Sequence, residues 1–409
     1  MPESTPVPGR VASSGTVSPA REKGEHVESL ADLLEPGTTV ALGDGFGAPQ
    51  SVTADLCAAA ARVGGVRLVL GWVHEADPGL DPSVFADVRT VMPGWGLRDH
   101  VDRGLIACPP VRMSAVPALL HGLWRPDLLV ASVVPVPGGY AFGSEVSWQR
   151  TAVEAGALVA AVVSPNLPRA DAGPPLPADR VVVIGTSDRA AGVLRPSPTG
   201  PDQTAIARHL APLIPGGARL QLGFGPVPSA LAAELRVPVR IDSGPLPEAA
   251  VDLDERGLLL GDPVGMYLVG GPRLHAWADG RPLLHPVEHV LDPGRLSADP
   301  FVAVNTAVEI DHDGQVNVEG TARGVLGGIG GHADYAAAAA RSVGGLSVIA
   351  IPTRHRGRST LVERLSRPVT TPSQDVEAVV TERGVADLRG LSRAERRAAL
   401  ADLWGAGRP

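Results

Sequence analysis

Two distant stretches of this chain follow one local plan. Thr39 to Leu42 reads as a short strand, followed by the loop Gly43-Asp-Gly-Phe-Gly-Ala-Pro49 and a helical stretch from Ser51. Far downstream, Arg219 to Leu222 reads as a strand, followed by Gly223-Phe-Gly-Pro-Val-Pro228 and a helix from Ser229 to Leu235. Around the first copy, Val52 to Arg62 has a helical pattern, and Val66 to Val73 and Ala157 to Ser164 read as further strands. Short apolar runs alternating with helices predict parallel sheets, and the repeated unit predicts two related α/β domains.

Length and composition agree with this plan. At 409 residues the chain exceeds one ordinary core, and 44% apolar content fits a globular protein. Residues 1–26 are rich in Pro, Ser, Thr and charge and read as a disordered tail. The first domain is predicted over 27–185 and the second over 205–409. The stretch 186–204, with Pro198, Gly200 and Pro201, is read as a linker. No apolar run is long enough to span a bilayer, so a soluble cytoplasmic protein with no membrane partner is expected. Cys57 and Cys108 lack partners at metal-ligand spacing, and reduced thiols with no metal site are expected. The net charge of −8 comes with dispersed basic residues. The Arg393, Arg396, Arg397 group fits a solvated helix face and not a nucleic-acid surface.

The stretch most suggestive of chemistry runs from Gln315 to Tyr335 and contains Gly327-Gly-Ile-Gly-Gly331 followed by His332. Successive glycines let backbone N–H groups approach a ligand oxygen, so such a loop can hold developing negative charge. A tight turn between strand and helix is the structural alternative. The loops at Gly43 and at Gly223 to Gly225 sit where phosphates can bind, but neither fits a Walker A or full dinucleotide pattern.

Together with Phe301-Val-Ala-Val-Asn-Thr306, Gly344-Gly-Leu-Ser-Val-Ile-Ala-Ile-Pro-Thr353 and Val379-Val-Thr-Glu-Arg-Gly384, this stretch resembles the C-terminal half of the acetyl-CoA hydrolase and 4-hydroxybutyrate CoA-transferase family. Looser matches at Gly45-Phe-Gly-Ala-Pro49, Pro126 to Pro135, Gly139 to Gly143 and Val163 to Arg169 extend the resemblance from about Ser29 to about Leu403. It implies two CoA-transferase-type α/β domains with the active cleft between them, and a homodimer. The implied partners are an acyl-CoA and a small carboxylate, with coenzyme A as cosubstrate and no covalently bound cofactor. It also implies a glutamate that attacks the thioester, forming an anhydride and then an enzyme-bound CoA thioester.

In that family the glutamate follows a His-Ser/Thr pair and precedes Asp-Gly-Val-Val-Asp-Leu by a few residues. An ungapped count back from Val251-Asp-Leu253 sets the triplet on Asp242-Ser243-Gly244, so the glutamate position falls on Gly244. Leu291, in Pro286-Val-Glu-His-Val-Leu-Asp-Pro293, stands where the resemblance implies an asparagine near the reacting carboxylate. Two readings stay open. In one the count slips, and Glu248 or Glu288 attacks. In the other the chain hydrolyses a thioester through water, performs another acyl transfer, or only binds a CoA ester as a non-catalytic homologue or subunit.

For hydrolysis a general base has to direct water, and Asp242 is the nearest candidate in sequence, although a carboxylate ending a strand also serves as a cap or turn residue. Glu288 reads equally as a salt-bridged surface group. Glu382 follows an apolar strand, a position where α/β sites collect. Glu309 and Asp311 alternate on one strand face, expected at solvent or a domain interface. The candidate ligand-binding residues are Gly328, Ile329, Gly330, Gly331, His332, Asn317, Gly223 and Gly225. No serine sits on a nucleophile elbow, since Ser243 lacks the flanking glycines.

Overall fold

The computed structural model describes residues 29–195 and 197–405, and the expected tail lies outside them. The first sheet runs in the order Asp87–Thr90, Arg67–Leu70, Thr39–Leu42, Leu128–Val136, Leu158–Val163, Val181–Thr186. All of these pairs are parallel, and Gly139–Ala141 adds an antiparallel hairpin strand. Strand alternation divides the core cleanly. Val40, Leu42, Leu68, Leu70, Leu128 and Val130 pack on one face, and Ala41, Val69, Leu129, Ala131 and Val133 on the other. Strands covered on both faces read in the sequence as unbroken apolar runs.

The second sheet runs Gly384–Asp387, Ala378–Thr381, Leu346–Ala350, Phe301–Thr306, Arg219–Leu222, Arg240–Ile241. It is parallel except for the Ala378–Thr381 and Gly384–Asp387 pair. In each sheet the strand preceding the repeated glycine loop lies between the next strand in sequence and a later one. The repeat read in the sequence is therefore a repeat of topology, and the fold is α/β with two mainly parallel sheets.

Two helices begin earlier than the sequence pattern suggests. The helix Pro201–Leu210 opens inside the stretch read as a linker, with Gln203 accepting from the Gly200 N–H at 3.1 Å. The helix Pro226–Glu234 opens inside the second glycine loop. Proline suits a first helical turn because its missing N–H would be unpaired there anyway. Upstream of Pro201 the chain is tied to both halves, through Gly192 N to Phe46 O (2.8 Å) and Leu194 N to Gly270 O (3.0 Å).

The expectation that Glu309 and Asp311 face solvent or a domain interface is corrected, because both are buried, on the strand Glu309–Asp311, among residues of the second half. Glu309 accepts from Asn317 Nδ2 (2.8 Å) and Ser366 Oγ (2.8 Å). Asp311 accepts from the N–H groups of Asp313 (3.0 Å) and Gln315 (2.8 Å). Each carboxylate replaces water with local N–H and O–H donors, which is how a buried charge is tolerated.

Candidate active site

The C-terminal ends of the strands Arg219–Leu222 and Phe301–Thr306 open onto a cavity of about 380 Å³ between the two halves. This is where open parallel sheets bind ligands. The first half contributes Trp72, Met92, Trp95 and Met113, and the second contributes Gln221, Phe224, Gly244, Met266, Tyr267, Asn305 and the loop from Gly327 to His332. Trp72 stacks on Phe224 with ring centroids 5.7 Å apart, and Trp95 meets the same ring edge-on at 5.8 Å. The walls are thus aromatic and methionine-rich, and among the described residues the lining contains no Asp, Glu, Lys, Arg or Cys.

The glycine loop is held close on two sides. Gly330 has φ +54°, a left-handed conformation that side chains resist. A Cβ on Gly331 would lie 2.8 Å from the ring of Tyr335 and 3.4 Å from Leu291 Cδ2. Leu291 therefore packs beside the loop, while Gly331 caps the helix His332–Arg341 that carries Tyr335 one turn further on. That helix is anchored to the first half, since Ser114 donates to Asp334 through N–H (3.1 Å) and Oγ (2.7 Å).

Gly244 lies in the cavity wall. A Cβ there would stand 3.1 Å from Met266 Cε and 3.4 Å from Tyr335 Oη. Its carbonyl accepts from the N–H of Met266 at 2.7 Å, fixing the backbone at this point. Four lining side chains carry a buried polar atom without a hydrogen-bond partner among the described residues: Gln221 Oε1, Asn305 Nδ2, His332 Nε2 and Tyr335 Oη. Buried polar atoms are normally paired, and these four lie where water or a polar ligand in the cavity would pair with them. Desolvation pushes His332 down to about 4, so its ring is neutral near pH 7. Its Nδ1 lies 2.8 Å from Thr371 Oγ1.

Behind the cavity a buried acidic cluster joins the halves. Tyr267 donates to Asp44 at 2.7 Å, and Asp44 also accepts from Trp72 N (2.9 Å) and Trp148 Nε1 (2.8 Å). Burial raises Asp44 to about 6. Burial likewise raises Glu145, which accepts from Ser144 Oγ (2.7 Å) and Gly47 N (3.0 Å), to about 8. These groups hold Tyr267 in the wall and present no carboxylate to the cavity.

Of the residues singled out from sequence, Gly223, Gly328, Ile329, Gly330, Gly331, His332 and Gly244 line the cavity. The others lie outside its lining. Gly225 begins the helix Pro226–Glu234. Asn317 is buried, donating to Glu309 and to Gly320 O at 2.8 Å each. Asp242 is clamped by Arg219 Nη2 (2.9 Å) and by Arg295 Nη1 (2.6 Å) and Nη2 (2.9 Å), which occupy both carboxylate oxygens. Glu248 stands at the start of the helix Ala249–Glu255, against Gly270. Glu288 is exposed and accepts from Thr151 Oγ1 at 2.5 Å. Glu382 accepts from the N–H of Thr353 at 2.8 Å and from its hydroxyl.

Sequence reading passed over Tyr335, Asn305, Gln221 and the aromatic wall. For Tyr335 a signal existed, since it follows Gly331 at helical i to i+4 spacing and so faces the same side. A larger depression of about 610 Å³ near Arg236 and Arg256 holds no comparable chemistry, because both guanidiniums are bound to backbone carbonyls.

Residues 270–404 match the model of the acetyl-CoA hydrolase/transferase C-terminal domain. The chain is 29% identical over 330 residues to a 4-hydroxybutyrate coenzyme A transferase of Clostridium kluyveri, covering 76% of this chain and 77% of that one. In fold it is similar to RipA from Yersinia pestis, with a TM-score of 0.81, 24% identity and coverage of 91% and 93%. It is also similar to a 4-hydroxybutyrate CoA-transferase from Porphyromonas gingivalis, with a TM-score of 0.73, 23% identity and 91% coverage of each chain. The family match is confined to residues 270–404, in the second half of the chain.

Proposed function

We propose that this chain binds a short acyl-CoA in the interdomain cavity and acts on its thioester, as a CoA-transferase or hydrolase, without a carboxylate of its own at the reacting centre. The observation that carries the reading is the pairing of a glycine loop and four unpartnered polar atoms with a lining that has no acid, at Gly244 above all. Backbone N–H groups of the glycine loop suit an oxyanion, and the aromatic wall suits the apolar part of a thioester. Coenzyme A enters as cosubstrate and a small carboxylate as acceptor. The working form is a homodimer in the cytoplasm.

A second reading, a non-catalytic CoA-ester binding homologue or subunit, draws on the same acid-free lining, because no lining side chain is a strong nucleophile. Incubation with acetyl-, propionyl- and butyryl-CoA, with and without acetate, while free thiol and acyl exchange are followed, separates these outcomes. Acceptor-independent thiol release indicates hydrolysis, and acceptor-dependent exchange indicates transfer. Saturable binding with neither indicates the binding protein, and absence of binding refutes both.

A further inference from the structure

The ungapped count from the sequence sets the family's glutamate position on Gly244, a glycine that leaves room at the cavity wall, and the neighbours of that room are specific. A ligand atom at the place of a Gly244 Cβ would lie 3.4 Å from Tyr335 Oη, so an oxygen slightly further in comes within hydrogen-bond distance. Tyr335 is 3% exposed and its hydroxyl is unpartnered. Asn305, at 6% exposure, adds an unpartnered amide donor, and among the described residues of the lining the one unpartnered side-chain atom restricted to accepting is Gln221 Oε1. The surroundings therefore ask for an acceptor-rich ligand. The N-terminus of the ten-residue helix His332–Arg341, capped by Gly331 in the same lining, favours a negative one. Met266 Cε, 3.1 Å from the same point, is the end of a flexible side chain that can give way and then cover an apolar tail.

We propose that a free small carboxylate binds in the space beside Gly244 and itself attacks the thioester, so that both substrates are bound together and no enzyme-linked CoA forms. This rests on the acyl-CoA reading above. In the first step a carboxylate oxygen forms a bond to the thioester carbonyl carbon, the C–S bond breaks, and CoA leaves as its thiolate, giving a mixed anhydride. In the second, the thiolate attacks the acceptor-derived carbonyl and forms a new C–S bond. The anhydride C–O bond breaks, and the donor acyl group leaves as its own carboxylate. No proton is consumed or released. Tyr335 and Asn305 hold the carboxylate, and the glycine loop receives the oxyanion.

The test uses the full chain with butyryl-CoA and sodium acetate. Butyryl-CoA binding is read from the change in intrinsic tryptophan fluorescence, to which Trp72 and Trp95 in the cavity wall contribute, and exchange from initial rates with both substrates varied. The expected result is intersecting double-reciprocal lines, and no adduct after borohydride. Gly244→Ala, which puts a methyl group in the proposed site, should raise the acetate KM about tenfold or more, and by a larger factor than it raises the butyryl-CoA Kd. Parallel lines, a trapped adduct, an unchanged acetate KM in folded Gly244→Ala, or butyryl-CoA binding without exchange into acetate would each overturn the proposal while sparing the acyl-CoA site. Failure of butyryl-CoA to bind would instead remove the acyl-CoA reading and this proposal with it.

Discussion

Tyr335→Phe separates a hydroxyl kept for a ligand from one kept for the fold. In the free protein the Tyr335 oxygen is buried and has no partner among the described residues, while its ring packs 6.0 Å from Phe301 and against Gly331. Phenylalanine preserves that packing and deletes only the orphaned group. Because the hydroxyl borders a cavity of about 380 Å³ where water can pair with it, its removal should leave the Tm of the free protein within about 2–4 °C of the parent. The same change removes a hydrogen bond to a charged ligand, worth about 1.5–3 kcal/mol, which weakens carboxylate binding about 10- to 100-fold. Thermal unfolding of the parent and the variant, each with and without acetate and butyryl-CoA, measures both effects. A nearly unchanged Tm without ligand, together with a smaller shift on adding acetate, is the expected pair. A variant that unfolds at lower temperature with unchanged acetate affinity would show that the hydroxyl has a structural partner, and would refute the reasoning.

Other expectations follow from the same geometry. Gly330→Val forces a β-branched residue into φ +54°, with its Cβ 3.0 Å from Met92 Sδ, and should abolish turnover at a stability cost of about 1–2 kcal/mol, checked by activity against circular dichroism. Gly244→Glu with Leu291→Asn should form a borohydride-trappable adduct at position 244 and raise CoA transfer to acetate above the parent; a folded double variant that binds acyl-CoA without either effect counts against the assignment of the missing carboxylate. Glu145 holds a proton in the fold up to about pH 8, whereas its ordinary value is 4.5. The folded state therefore binds more protons than the unfolded state between those values, so this group makes stability fall as pH rises through that window, by an amount on the order of a few kcal/mol. Glu145→Gln should flatten that slope and stabilise the protein at pH 8, as read by urea unfolding at pH 5 and pH 8. Light scattering should show a dimer at micromolar concentration, and a stable monomer would contradict the oligomeric part of the proposal.

What the sequence disclosed, and what it hid, has a physical pattern. Thr39–Leu42 and Arg219–Leu222 were readable because they are interior strands buried along their whole length, and the glycines after them are needed by the turns. Pro201 and Pro226 misled because proline reads as a breaker, yet it is well suited to a helix start. Gly244 and the loop Gly327–Gly331 were picked out by motif, and they meet at one cavity. The carboxylates next to them in sequence do not. Asp242 is two residues from Gly244, but its side chain is drawn to Arg219 and Arg295. The orphaned state of Tyr335, Asn305 and Gln221 had no local signal, because it depends on which atoms from distant segments are missing around them.

The central claim is that acyl-CoA chemistry proceeds here without an enzyme carboxylate. Its most direct test is the intact mass of the wild-type chain after exposure to butyryl-CoA, acetate and borohydride, with acyl exchange followed in the same sample. The expected result is exchange with the mass of the chain unchanged. A mass change that maps to Glu248, Glu288 or any other carboxylate would contradict the claim and restore an ordinary covalent mechanism.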